Sequence, residues 1–356
     1  MGLTANGPLG ALGGFSGVLD ALVAGEDLST SDAELVMDQV FDGEAQPAQV
    51  AALLVALRAK GETTAELTGM VRSMLSHANP VTIPIEVMDI VGTGGDGKQS
   101  VNISTMTALV VAGAGVAVCK HGNRAASSMV GTADVFEELG VRIELTGEEV
   151  ARCLDEAGIA FCFAQAFHPA MRFVGPVRSA LGIRTAFNFL GPLSNPATPS
   201  TMLVGTGDKN ASVRMAEVLG ANGVKAAWVV HSEDGFDEFS SMAPTSVVEV
   251  VGDGSGAFEL SEWVLDPTPF GFPPATVDDL RGGDAATNAR IIRSVVGGAH
   301  GAVRDMVLLN SAAALTIAGR ASSIEVGLEI AARSIDEGAA ALRLERLVAA
   351  SNASAR

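Results

Sequence analysis

Four glycines, Gly92, Gly94, Gly95 and Gly97, follow the short apolar run from Val87 to Val91. They remove Cβ atoms from a tight stretch of chain, so its backbone can take positive φ and its N–H groups can approach an anion closely. Asn102 then stands at the N-cap position of a helix predicted from Ile103 to roughly Ala114, whose first amides carry a partial positive charge. A second apolar run, Val116 to Cys119, reads as a strand that delivers Lys120, His121, Asn123 and Arg124 at its carboxyl end. Two consecutive strand ends would thus converge on one crevice, where open α/β sheets bind ligands. The glycine loop alone fits an ordinary turn as well as a phosphate cradle. It lacks the Gly-Lys-Ser/Thr ending of a Walker A loop and the G-x-G-x-x-G spacing of a dinucleotide site.

Three further groups could act at such a crevice. Ser127, Ser128, Gly131 and Thr132 form a hydroxyl-rich loop, which fits either a phosphate cover or a plain strand-to-helix turn. His168, Arg172, Arg178 and Arg184 concentrate positive charge in an acidic chain. The run HSEDGFDEFS holds Asp234, Asp237 and Glu238. In an arbitrary protein these carboxylates read first as a solvated loop, but such hard oxygen donors also suit Mg2+, which often bridges a few carboxylates to substrate phosphates.

The elements that must position these groups are legible in outline. Phe15, Val18, Leu19 and Leu22 recur at helical spacing, Ser31 with Glu34 and Thr63 with Glu66 form candidate capping boxes, and Pro47 and Gly61 fit a helix start and end. The region before residue 80 is therefore predicted to be all helical, with Asn79 to Pro84 as a linker. Beyond it, strands predicted at Ile159 to Phe163, Met202 to Gly205, Ala226 to His231 and Val247 to Val250 alternate with helices, the pattern of a largely parallel sheet. Ser255 to Pro274 reads as a surface loop, the stretch around Leu308 as a buried helix, and Ser322 with Glu325 as one more cap.

Composition narrows the function. The chain has 356 residues and a formal charge of −18, from 23 basic and 41 acidic side chains, which disfavours nucleic acid or anionic membranes as partners. Cys119, Cys153 and Cys162 match no metal-ligand spacing and read as reduced thiols of a cytoplasmic protein. Neither a membrane span nor a secretory leader is predicted.

Joined to NIST (Asn102 to Thr105) and KHGNR (Lys120 to Arg124), the glycine loop resembles the anthranilate phosphoribosyltransferases, which share one fold with the pyrimidine nucleoside phosphorylases. The resemblance covers roughly residues 15 to 345 and includes FAQAFHPAMRFVGPVRSALGIRTAFNFLGPLSNPA (Phe163 to Ala197), Asp237-Glu238, LRGGD (Leu280 to Asp284), Asn288 and RDMVLLNSAAAL (Arg304 to Leu315). It implies an α/β fold with a separate all-helical N-terminal domain, of the nucleoside phosphorylase/phosphoribosyltransferase kind. The helical domain would span 14–80, joined by helices from about 170 to 195, and the α/β domain 85–350.

The resemblance also assigns residues. Gly92, Gly95, Asp96, Ser100, Asn102, Ile103, Ser104 and Thr105 would bind phosphoribosyl pyrophosphate. So would Lys120, His121, Gly122, Asn123, Arg124 and Ala125, then Ala126, Ser127, Ser128 and Thr132. Arg178 would pair with the anthranilate carboxylate, with His168, Gly191 and Pro192 along the outer channel and Gly92 and Asn123 also in contact. Ser104, Asp237 and Glu238 would place Mg2+, and a homodimer is implied. Many members carry a basic residue where this chain has Met129, which receives no phosphate contact.

The implied chemistry needs no covalent intermediate. An aromatic amine is uncharged at neutral pH, so positioning and neutralisation of departing pyrophosphate would carry the rate, without a protein nucleophile or general base. A pyrimidine nucleoside phosphorylase would share Lys120, Arg124 and Thr132-Ala133-Asp134 but not FNFLGPLSNPA, and a non-catalytic nucleic-acid-binding relative is disfavoured by the charge.

Overall fold

The computed structural model describes residues 9–94, 97–125 and 129–353. In chain order these form helices α1 (Gly14–Val23), α2 (Thr30–Phe41), α3 (Pro47–Lys60) and α4 (Thr64–Ser76), strand β1 (Met88–Gly92), α5 (Ile103–Gly113), β2 (Val118–Gly122), α6 (Thr132–Glu138), α7 (Gly147–Ala157) and β3 (Ile159–Phe163). The turn α8 (Ala164–Phe167), α9 (Gly175–Leu181), α10 (Phe187–Leu193), β4 (Thr201–Gly205), α11 (Ser212–Ala221), β5 (Ala226–Ser232), β6 (Thr245–Gly252) and β7 (Phe258–Leu265) follow. The chain closes with α12 (Ala285–Val296), α13 (Ala302–Ile317), α14 (Ile324–Asp336) and α15 (Ala339–Asn352). It divides into two compact units, Met1–Asn79 with Phe167–Ser194, and Pro80–Ala166 with Asn195–Arg356.

The first unit is helical. Helices α2 and α4 approach so closely at Gly69 of α4 that a Cβ there would lie 2.2 Å from the Thr30 carbonyl oxygen. Glu66 is fully buried there and satisfied, accepting from the Thr63 and Leu28 amides and from Lys60. The Thr63–Glu66 box, Pro47 at a helix start and Gly61 at a helix end all form as the sequence predicts. The first predicted box shifts: Ser29 caps α2 by accepting from the Asp32 amide, in place of Ser31 with Glu34.

The second unit is built on one seven-stranded sheet of order β3-β2-β1-β4-β5-β6-β7. The first five of these strands run parallel, and β6 and β7 close the edge as antiparallel neighbours. The predicted surface loop at Ser255 to Pro274 is corrected here, because Phe258–Leu265 is strand β7. Its Trp263 meets Trp228 of β5 edge to face at 4.9 Å. Helix α5 buries nearly every side chain, because it lies between the sheet and helices α13 and α15, as its apolar run without a polar stripe requires. The cap predicted at Ser322 lies one residue on, where Ser323 accepts from the Val326 amide.

Candidate active site

Strand order reverses at β1, which has β2 on one side and β4 on the other. Such a switch point opens a crevice at the carboxyl ends of the strands. There Gly92 of β1 pairs with Gly205 of β4, and the loop after β5 lies directly over both. A Cβ on Gly205 would stand 1.5 Å from the Asp237 carbonyl oxygen, and one on Gly92 would stand 2.5 Å from Asp237 Oδ2. Gly94 N donates to the same carboxylate oxygen at 2.8 Å. Glycine at both strand ends is thus what lets the acidic loop seat. Asp237 is buried and Glu238 half-buried beside it.

Beneath this loop lie two buried charged groups, Lys120 and Asp89, which act on each other electrostatically without direct contact. Lys120 and His121 belong to β2 itself and do not follow its end as the sequence reading has them, because the strand runs on to Gly122. Lys120 is 1% exposed, and its ammonium donates to the Ile90 carbonyl and, at 3.3 Å, to Ser104 Oγ. Burial pushes its pKa down, while the carboxylates of Asp89, Glu238 and Asp237 oppose that. Burial also pushes the Asp89 carboxyl up to about 6, against Lys120 and hydrogen bonds from Asn195 and the His121 amide. Asn195 Nδ2 donates to both Asp89 and the Cys119 carbonyl, so one amide binds two neighbouring strands.

Asn102 occupies the N-cap position of α5, but its side chain makes no capping bond. It accepts instead from Asn288 Nδ2 at 3.0 Å and donates to the Val130 carbonyl at 3.3 Å. Asn288 in turn accepts from the Gly283 amide, so the LRGGD segment and α12 hold the start of α5. The same segment braces the glycine loop from behind. Ser100 bridges Arg281, and the Gly282 amide donates to the Gln99 carbonyl. The side chains of Ile103 and Thr105 are buried in the core, whereas Ser104 between them is half-exposed.

After β2 the chain turns back on itself around Gly131, where a Cβ would lie 2.4 Å from the Ala125 amide. Asp134 Oδ2 accepts from the amides of Ala125 and Gly131, and Arg124 pairs with Asp134 and Glu137. Burial works to raise the Asp134 carboxyl, and these hydrogen bonds overcome it and bring it below its ordinary value. Asn123 Oδ1 accepts from the Arg124 amide and from Gln165. Gly122 packs its bare α-carbon near Thr132 and Phe161. The predicted phosphate-binding residues Gly95, Asp96, Ala126, Ser127 and Ser128 lie outside the described residues. Met129 is exposed.

The remaining predicted residues belong to the helical unit. Arg178 is half-buried on α9 with its guanidinium over the Phe187 ring at 5.4 Å, and no carboxylate among the described residues pairs with it. Burial lowers its pKa from the ordinary arginine value. His168 is buried, and burial pushes its pKa down to about 4 against hydrogen bonds with the backbone of Ser194 and Met74, so it is neutral at pH 7. Gly191 and Pro192 lie within α10. Arg184 is exposed, and Arg172 stacks on Phe173.

Sequence reading assigned no role to Asp89, Asp134, Asn195 or Asn310, although an aspartate inside the apolar strand run VMDIV was a visible signal. A charge there must find a partner when the strand is buried. Among the described residues no three His, Cys, Asp or Glu gather in one place. Asp237, Glu238 and the Ser104 hydroxyl are the donors that the sequence reading assigns to a cation, and hard oxygen donors of this kind suit Mg2+ when oxygens of a bound ligand complete the set. No helix among the described residues is long and apolar enough to cross a membrane.

The glycosyl transferase family α/β-domain model matches residues 85–341, and the helical-bundle-domain model of the same family matches 16–78. The anthranilate phosphoribosyltransferase of Thermomicrobium roseum is 52% identical over 94% of this chain and 97% of its own length. The crystal structure of the anthranilate phosphoribosyltransferase from Thermus thermophilus superimposes with a TM-score of 0.87 at 41% identity, covering 94% of this chain and 99% of that one. The Saccharomyces cerevisiae enzyme in complex with PRPP and Mg gives a TM-score of 0.85 at 25% identity, covering 95% of this chain and 97% of that one. With its glycine-seated acidic loop at the sheet's switch point and likeness of this extent over nearly its whole length, the chain belongs to the anthranilate phosphoribosyltransferase family, within the glycosyl transferases whose helical-bundle and α/β domains it carries.

Proposed function

We propose that the chain transfers the phosphoribosyl group of 5-phosphoribosyl 1-pyrophosphate to the amine of anthranilate, giving N-(5-phosphoribosyl)anthranilate and pyrophosphate, as a step of tryptophan biosynthesis. The observation that carries this reading is the seating of Asp237 on Gly92, Gly94 and Gly205, next to the Lys120–Ser104 contact at the start of α5. Phosphates are attracted there by the amides of α5 and by a lysine charge strengthened by low dielectric. Two carboxylates on the same spot would repel them without a cation. Asp237, Glu238 and Ser104 would hold Mg2+, which would supply the charge screening that pyrophosphate needs beside these carboxylates.

The chain's own groups do the rest by positioning. Amides from Gly92 through Thr105 hold the phosphate groups, the Asp134-tied turn with Asn123 and Arg124 covers them, and Arg178 takes the anthranilate carboxylate in two parallel hydrogen bonds. The amine attacks the anomeric carbon as its bond to pyrophosphate breaks, and the amine proton passes to solvent or to the departing phosphate oxygens. Loss of anthranilate fluorescence on adding phosphoribosyl pyrophosphate and Mg2+ tests the assignment, and a chain that leaves the fluorescence unchanged sinks it.

The protein works in the cytoplasm as a homodimer on this reading. Val23, Leu35 and Val55 of the helical unit are exposed apolar side chains that a second copy would cover. Light scattering at micromolar concentration would remove the dimer by returning the mass of one chain.

A further inference from the structure

We infer that Asn310, on α13, is a positioning residue for the carboxylate pair Asp237 and Glu238, acting through the backbone of Phe239. The inference rests on the reading of that pair as the metal-holding carboxylates. Asn310 is fully buried and spends its whole amide on backbone. Its Oδ1 accepts from Phe239 N at 2.9 Å, while Nδ2 donates to Phe239 O at 2.8 Å and to Met306 O at 2.9 Å. The side chain thus does for residue 239 what a neighbouring strand would do, satisfying N–H and C=O together.

Only an amide fits. A flipped Asn310 would set its NH2 against the Phe239 N–H, aspartate would set an oxygen against two carbonyls, and leucine would leave two buried backbone groups unpaired. The bond falls on the residue immediately after Glu238. The Phe239 side chain is itself buried and meets Trp228 edge to face at 6.2 Å, so residue 239 is fixed by both side chain and backbone. At the other side of the pair, the loop backbone rests on Gly205 and Ser240 Oγ donates to Asp234 at 2.6 Å. The direction of the two carboxylates is therefore set by a helix far away in sequence. A bond that merely tied α13 to the sheet would not need to land beside Glu238.

The test uses the full chain carrying Asn310→Ser or Asn310→Asp, with Asp237→Asn/Glu238→Gln as the companion. Read out are the Mg2+ concentration at half-maximal rate with saturating phosphoribosyl pyrophosphate, the anthranilate KM, and Tm. Positioning predicts that either Asn310 variant raises the Mg2+ midpoint about tenfold, the scale of one net buried hydrogen bond, while anthranilate KM stays within about twofold. With Tm well above the assay temperature the variant is fully folded, and under that condition a loss of stability alone does not move the midpoint. An unchanged midpoint with a lowered Tm overturns the inference, as does failure of both variants to fold, since each marks Asn310 as structural only. If the companion variant moves the midpoint and the Asn310 variants do not, the inference fails and the carboxylate reading stands. If the companion itself leaves the midpoint unmoved, the carboxylate reading fails first.

Discussion

Lys120, in the middle of β2, and Arg124, just past its end, sit in opposite conditions. Lys120 is 1% exposed and bound to Ile90, Ser104 and the field of Asp89, whereas the Arg124 side chain is 40% exposed and pairs with Asp134 and Glu137 at the surface. A buried charge acts with little screening, but it is costly to leave without its partner. An exposed pair contributes little and can exchange its carboxylates for another anion. One strand and the turn after it thus carry a buried ammonium set among the carboxylates of Asp89, Asp237 and Glu238 and, a few residues on, an exposed cation paired at the surface.

The largest expected effect tests the fixed charge. Lys120→Met leaves Asp89 buried without its ammonium, and urea denaturation should show a loss of about 3–5 kcal/mol. Adding Asp89→Asn should recover much of that stability without restoring phosphoribosyl transfer. A loss below about 1 kcal/mol in the single variant would show that burial does not distinguish the two cations.

Arg178 sharpens the contrast as a third kind of cation, half-buried on an aromatic ring and without a carboxylate among the described residues. Arg178→Ala should weaken anthranilate use by about 2–4 kcal/mol of transition-state binding, read from kcat/KM, and leave phosphoribosyl pyrophosphate binding nearly intact. Equal losses for both substrates would make it structural. The smallest effect belongs to Arg124→Ala, for which denaturation should show a change under about 1 kcal/mol. A larger loss would mean that the surface pairs hold the turn around Gly131.

The sequence made the helical start, the glycine loop and the parallel strands readable because each is a local pattern of period, cap or turn. What stayed hidden depends on contacts distant in the chain. Asn102 is the right residue type at the right place for a cap, yet its amide is taken by Asn288 and Val130. Strand β7 buries only part of one face, and the glycines and prolines around it outweighed its alternation. Ser29 displaced Ser31 because the run Ser29-Thr30-Ser31-Asp32 offers the capping spacing two residues earlier. The lysine that matters most was found by type, but its burial was not, since only the pairing of β1 with β2 and β4 closes the sheet over it.

The central claim is that the acidic loop on Gly92 and Gly205 works through a divalent cation, and anthranilate turnover with and without a chelator measures it most directly. The wild-type chain should consume anthranilate with phosphoribosyl pyrophosphate and Mg2+ and stop when the metal is removed. Asp237→Asn/Glu238→Gln should fold and require much more Mg2+ for the same rate. Turnover that continues undiminished with the metal chelated, or cleavage of pyrimidine nucleosides by inorganic phosphate under those conditions, would contradict the account.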